Sequence, residues 1–157
     1  MNARFVGPLI VVTDVARSKQ FYEGLLHQKL RFDLGACQQY ESGLTLQARH
    51  SMSGLYGFSL HDITLESKSV VLYFEVEDFE AAVSQILSSG ITLVHNVVTF
   101  AWGQRSIALY DPDGHVIDVS ESMAGVVRRF AADGMSAEDI AYRTEHPLDF
   151  VQACLGG

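Results

Sequence analysis

Positive charge is scarce in this chain of 157 residues: eleven Lys and Arg stand against nineteen Asp and Glu, a net charge of −8 at neutral pH. A protein that holds nucleic acid or an anionic membrane through bulk charge needs the opposite balance, so neither is an expected partner. Cysteine is nearly absent. Cys37 and Cys154 form no disulfide framework and no metal-ligand spacing, and reduced thiols in a cytoplasmic protein are the expectation. No apolar run is as long as a membrane-spanning helix. The stretch Phe5 to Val12 is short, interrupted by Pro8 and ended by Thr13-Asp14, which is not the pattern of a signal-peptide core with its cleavage site. The six histidines show neither HxH nor HExxH spacing. No glycine-rich phosphate loop is present, and neither Cys37 nor any serine sits in a nucleophile motif.

What the chain does have is a strong hairpin signal. Arg105 to Ser122 (RSIALYDPDGHVIDVSES) reads as two strands joined by Asp111-Pro112-Asp113-Gly114. Pro112 presets the second position of a type I turn, and Gly114 accepts the left-handed conformation that follows. That combination predicts a three-residue loop with a glycine bulge, so that Asp111 faces His115. Pairing onward places Ile107, Leu109, Ile117 and Val119 on one face. The other face carries Ser106, Ala108, Tyr110, Val116, Asp118 and Ser120. One face is expected to be core and the other to hold a carboxylate, Asp118, in mid-strand.

The remaining elements fall into two similar halves. Pro8 to Thr13 reads as a strand, and Asp14 can cap a helix whose apolar positions include Phe21, Tyr22 and Leu25. Three strands follow: Lys29 to Asp33, Cys37 to Tyr40, and Leu44 to Ala48, with Glu41-Ser42-Gly43 a tight turn. In the last strand Leu44 and Leu46 share one face, Thr45 and Gln47 the other. Arg49 to Lys68 is polar and reads as a loop with at most one helical turn. The opening order then recurs: a strand from Ser69 to Val76, an Asp78-capped helix with Phe79, Ala82, Val83, Ile86 and Leu87 on one face, a strand from Ile91 to Val98, and the hairpin. Asp14 and Asp78 mark the repeat, 64 residues apart. In Ser69 to Val76 the face of Val70, Leu72, Phe74 and Val76 is wholly apolar, and the opposite face presents Tyr73 and Glu75. If each sheet packs its helix on its apolar side, the other sides gather Thr45, Gln47, Tyr73, Glu75, Tyr110, Asp118 and Ser120 toward a common cleft. Trp102, in the loop before the hairpin, either walls a ligand or plugs the core. Arg105 either pairs an anionic ligand or lies at the strand edge. His95, His115 and His146 are expected to be structural or exposed.

The tail from Ser122 is helical, with Val126, Val127 and Phe130 on a first helix ended by Gly134. Ser136 caps a second, and Pro147 begins a third. Met135 to Leu155 loosely resembles a helix-turn-helix. From Glu121 onward, however, three arginines face six acidic residues, a poor basis for DNA binding. A helical cover or a dimer contact is expected instead.

The doubled strand-helix-three-strand order resembles the vicinal-oxygen-chelate superfamily of glyoxalase I, bleomycin-resistance proteins and extradiol dioxygenases. The carrying residues are Val12-Thr13-Asp14-Val15-Ala16-Arg17-Ser18 with Phe21-Tyr22, Val76-Glu77-Asp78, Trp102-Gly103-Gln104-Arg105, and Asp111 through Asp118. The resemblance implies an α+β fold of two βαβββ modules, about 5–48 and 69–121, forming a U-shaped, partly open barrel within a domain of 1–121, with 122–157 a C-terminal helical extension. It also implies frequent homodimers.

Metal-dependent members place ligands at four points. These correspond here to Gly7, Gln47, Val71 and Asp118. Gly7 and Val71 offer no donor, and Gln47 with Asp118 alone would hold a transition metal poorly. No cofactor is therefore expected, with a divalent Ni, Zn, Fe or Mn in a rearranged site as the alternative. The expected function is small-molecule binding without the usual metal, through Thr45, Gln47, Tyr73, Glu75, Trp102, Tyr110 and Asp118. The alternative is a lyase, isomerase or dioxygenase on a small oxygenated substrate, using a metal or acid-base chemistry by Glu75 and Asp118.

Overall fold

The structure, a computed structural model, describes residues 1–156. It is α+β, with two four-stranded sheets and helices at the C-terminus. The chain divides into two compact units. The first comprises Met1–Val70 and Tyr110–Val116; the second comprises Val71–Leu109 and the chain from Ile117 onward.

In the first unit β1 (Leu9–Val12) leads through α1 (Val15–Gly24) to β2 (Leu30–Asp33), β3 (Cys37–Tyr40) and β4 (Thr45–Ala48), in the sheet order β1-β4-β3-β2. The apolar, β-branched run of β1 pairs parallel to β4, with Leu9 opposite Thr45 and Val11 opposite Gln47. Asp14 caps α1 as its sequence position predicts, its carboxylate accepting from Arg17 N at 3.0 Å. Ile10, Val12, Phe21, Tyr22, Tyr40, Leu44 and Leu46 form the buried apolar set. Each such side chain contributes about 1.5–3 kcal/mol by leaving water. The polar stretch after β4 holds more structure than the sequence suggests: two short 3-10 turns, Arg49–Ser51 and Leu60–Asp62, flank α2 (Met52–Tyr56).

The second unit repeats the order. β5 (Val71–Val76) leads through α3 (Phe79–Ser88) to β6 (Leu93–Thr99), β7 (Arg105–Tyr110) and β8 (Val116–Glu121), in the sheet order β5-β8-β7-β6. Asp78 caps α3 by accepting from Ala81 N at 3.0 Å. Removing this cap as Asp78→Ala is expected to cost about 1 kcal/mol in chemical denaturation. Leu87, expected on the apolar face of α3, is 55% exposed, because packing reaches only Phe79 and Ile86 fully.

The hairpin turn has the expected geometry. Gly114 N donates to Asp111 O and Asp111 N to His115 O, both at 3.0 Å, and Gly114 has φ +83°. The same bond pattern closes two other hairpins, at Tyr40 to Leu44 and at Phe100 to Gln104. The face of Ile107, Leu109 and Ile117 is core as expected, and the face that holds the half-buried Asp118 is shielded too. Ser106, Ala108 and Ser120 are as buried as Ile107, Leu109 and Ile117.

After β8 the chain forms α4 (Met123–Ala132), α5 (Ala137–Thr144) and α6 (Leu148–Leu155). Val126, Val127, Phe130, Ile140 and Val151 make a core shared by all three. Pro147 stands one residue before α6 rather than within its first turn, and Glu145 takes the left-handed conformation that ends α5. No helix among the described residues is long and apolar enough to cross a membrane.

Candidate functional site

The sequence-predicted residues divide between the two units. Thr45, Gln47 and Tyr110 belong to the first; Tyr73, Glu75, Trp102 and Asp118 belong to the second.

In the first unit the two aspartates of the turn are already engaged. Asp111, whose side chain is fully buried, accepts at Oδ1 from the backbone N of Asp113 and His115, at 2.9 and 2.8 Å. Its Oδ2 meets the Tyr22 hydroxyl at 2.9 Å and His115 Nδ1 at 2.8 Å. Burial pushes its pKa up, but the bonds from His115 and Tyr22 outweigh burial and hold it below the ordinary value. Asp113 accepts from Thr13 N at 3.0 Å, from the Thr13 hydroxyl, and from Arg17 Nη2 at 3.1 Å. The Thr13 and Arg17 of the first half are thus the partners of the Asp-Pro-Asp-Gly turn. His115, His146 and His95 each bond a nearby carboxylate or carbonyl through Nδ1. Gln47 is buried, and its Nε2 donates to Ala36 O at 3.1 Å and to Ser51 Oγ at 2.5 Å. Its amide nitrogen therefore ties β4 to the turn that follows. Thr45 and Tyr110 are half-buried.

In the second unit a connected polar chain runs across the sheet. β5 turns Tyr73 and Glu75 to its exposed side, and the Tyr73 hydroxyl donates to Glu75 Oε1 at 2.7 Å. Gln104, buried at the foot of β7, donates from Nε2 to that hydroxyl at 2.6 Å and to Glu121 O at 2.9 Å. Its Oε1 accepts from Trp102 Nε1 at 3.0 Å. Trp102 is 38% exposed and stacks on Phe100 with centroids 4.6 Å apart, so it lines a surface rather than plugging the core. Asp118, half-buried on β8, accepts at Oδ1 from two buried hydroxyls, Ser106 at 2.6 Å and Ser120 at 2.7 Å. Desolvation and the bond to Glu75 push Tyr73 up to about 12. Tyr73 therefore stays a neutral donor throughout the physiological range.

Sequence reasoning left out Gln104 as a site residue. Its parity could have found it, since positions 104, 106 and 108 alternate onto one side of β7. Arg105 is not free for a ligand. It bonds Glu121 Oε2 at 3.0 Å and Glu80 Oε1 at 2.5 Å.

The four positions implied for a metal fit one poorly. A Cβ at Gly7 would lie 2.1 Å from the Gly43 carbonyl oxygen, so the backbone there leaves no room for a ligating side chain. Val71 has no donor, and Gln47 is a neutral amide already bonded within its own unit. Asp118 alone is a ready oxygen donor, and one carboxylate does not hold a transition metal.

The family model for the glyoxalase-like domain matches residues 5–124. No curated protein matches the chain. Among solved structures, a protein of unknown function from Agrobacterium tumefaciens is 35% identical over 78% of this chain and 96% of its own, with a TM-score of 0.69. A glyoxalase/bleomycin resistance protein/dioxygenase from Nocardioides is 16% identical over 77% of this chain and 85% of its own, with a TM-score of 0.63. A lactoylglutathione lyase from Agrobacterium tumefaciens is 16% identical over 78% and 96%, with a TM-score of 0.61.

Proposed function

The chain belongs to the glyoxalase-like domain family, and from that premise we propose that it binds a small molecule on the hydrophilic side of its second sheet, without the usual metal. The observation that carries the reading is the chain Trp102–Gln104–Tyr73–Glu75, with Asp118 on β8, the strand that pairs with β5. Stacked rings beside convergent hydrogen-bonding groups are what a small-molecule site needs. Asp118 is held in one orientation by two buried serine hydroxyls, which orders the carboxylate before a ligand arrives. Its second oxygen and that of Glu75 would accept from a ligand's N–H or O–H groups. In the first unit taken by itself, Thr45, Gln47 and Tyr110 are kept as proposed ligand contacts. The protein would act in the cytoplasm, as a homodimer, without nucleic acid or membrane as partner.

Trp102 is the only tryptophan, so it reports binding directly. Titration with a panel of small amine- and hydroxyl-bearing aromatic compounds is expected to give a saturable change in its emission. Asp118→Ala should weaken that binding about tenfold, the scale of one charge-assisted hydrogen bond. No saturable change with any compound, or equal affinity in Asp118→Ala, would overturn the reading. Protein purified without chelator is expected to carry no stoichiometric Ni, Zn, Fe or Mn by elemental analysis. A stoichiometric metal lost in Asp118→Ala would reject the metal-free part.

A second reading, acid-base catalysis, rests on the unlike surroundings of the two carboxylates: Glu75 exposed, Asp118 half-buried with two donors. Unchanged turnover in both Glu75→Gln and Asp118→Asn, on any substrate found, would remove it.

A further inference from the structure

We infer that the three C-terminal helices are a positioning element for the Trp102–Gln104 loop, so that the extension belongs to the binding apparatus and is not a separate module. The loop between β6 and β7 is five residues long, Phe100 to Gln104, and Gly103 within it sits at φ +90°. A Cβ on Gly103 would lie 2.1 Å from Phe130 Cζ of α4. The helix ring thus occupies the space that any other residue would need. From the residue before Phe130, Arg129 Nη2 donates to Gly103 O at 2.7 Å. The same guanidinium grips the buried carboxylate of Glu121, with Nη2 at 2.8 Å from Oε2 and Nε at 3.1 Å from Oε1. Arg105 closes the other side of Glu121 at 3.0 Å.

The ring that presses on Gly103 is itself fixed by all three helices. Phe130 packs with Val126 and Val127 of α4, Ile140 of α5 and Val151 of α6. The guanidinium of Arg143, on α5, lies 4.5 Å from its centroid. The path then continues toward the ligand face. Gln104 follows Gly103 in the chain, and its amide joins the Glu121 carbonyl, the Tyr73 hydroxyl and the Trp102 indole. A shift of α4 therefore moves the loop backbone, and the loop carries one wall and one donor of the face. The family match ends at residue 124, so this anchor comes from outside the shared domain. A side chain held by packing and a second layer of hydrogen bonds keeps its geometry; one left on a short loop alone does not.

Trp102 reads this directly in the full chain, with no ligand added. Arg129→Ala and Phe130→Leu are each expected to shift Trp102 emission to the red and to raise acrylamide quenching about twofold, as a loop freed for local opening would. Arg128→Ala is the control, since its partner is the exposed Glu77 at 2.7 Å, and it should leave both readings at the native level. Far-UV circular dichroism establishes that each variant is folded. If Arg129→Ala does not fold, Phe130→Leu decides, because it keeps an apolar residue in the helical core. Native emission and quenching in folded Phe130→Leu would overturn the inference, as would an equal change in Arg128→Ala. No ligand enters the measurement, so its outcome is independent of whether a small molecule binds.

Discussion

Asp111→Ala is expected to lose about 4 kcal/mol of unfolding free energy, several times the effect of removing the exposed cap Asp78. The fully buried carboxylate takes four hydrogen bonds: two from backbone N–H groups of its own turn, one from the Tyr22 hydroxyl and one from His115 Nδ1. Alanine leaves all four donors without their acceptor, around a carboxylate that is itself fully buried. Urea denaturation of the two variants measures the difference. A loss near 1 kcal/mol for Asp111→Ala would mean that the turn is held by Pro112 and Gly114 alone. The pH dependence has a definite sign. Asp111 has its folded pKa below the ordinary 3.8, so its contribution is present above that value and is lost as pH falls through the lower folded value.

Glu121→Ala is expected to cost about 3 kcal/mol, the low end for breaking a buried ion pair, because its two arginines keep some contact with water. Only 5% of the Glu121 side chain is exposed, against 27% for Arg105 and 31% for Arg129. Truncation leaves two partly buried cations facing one another across the vacated place. Glu121→Gln should lose less, since the amide oxygen still accepts one of the guanidinium bonds. Burial raises the pKa of Glu121, but the bonds from Arg129 and Arg105 prevail and lower it. Its contribution is therefore present above the ordinary 4.5 and fades as pH falls through the folded value. Equal stability of Glu121→Ala and the native chain at pH 7 would show that the tail is not fastened through this carboxylate.

The parts of the fold carried by local chemistry were legible in the sequence. Asp-Pro-Asp-Gly dictates its own turn, and Asp14 and Asp78 announce the two helices that they cap. The strand order repeats as the doubled pattern implies. Alternation in β5 sets Tyr73 and Glu75 on the face opposite Leu72 and Phe74, and both are exposed. What was not legible depends on partners distant in sequence. Asp113 pairs with Thr13 and Arg17 across roughly a hundred residues, so nothing local distinguishes it from a solvated turn aspartate. Glu121 reads as the polar end of a strand until Arg129 is seen beside it. Parity separated the two faces of the hairpin but could not tell that both are covered, since Ser106 and Ser120 are buried to hold Asp118. Parity with Ser106 and Ala108 could place Gln104 on that side of the sheet, but nothing local shows what it does there. Its three-way role exists because Tyr73, Trp102 and the Glu121 carbonyl meet around one amide.

The most direct test maps the ligand onto the chain. Backbone and indole N–H resonances are assigned, and one compound that saturates the Trp102 signal is titrated. The account predicts that the shifted resonances cluster at Tyr73, Glu75, Trp102, Gln104 and Asp118, and that the cluster vanishes in Asp118→Ala. Shifts confined to other surfaces, with these five residues unmoved, would contradict it.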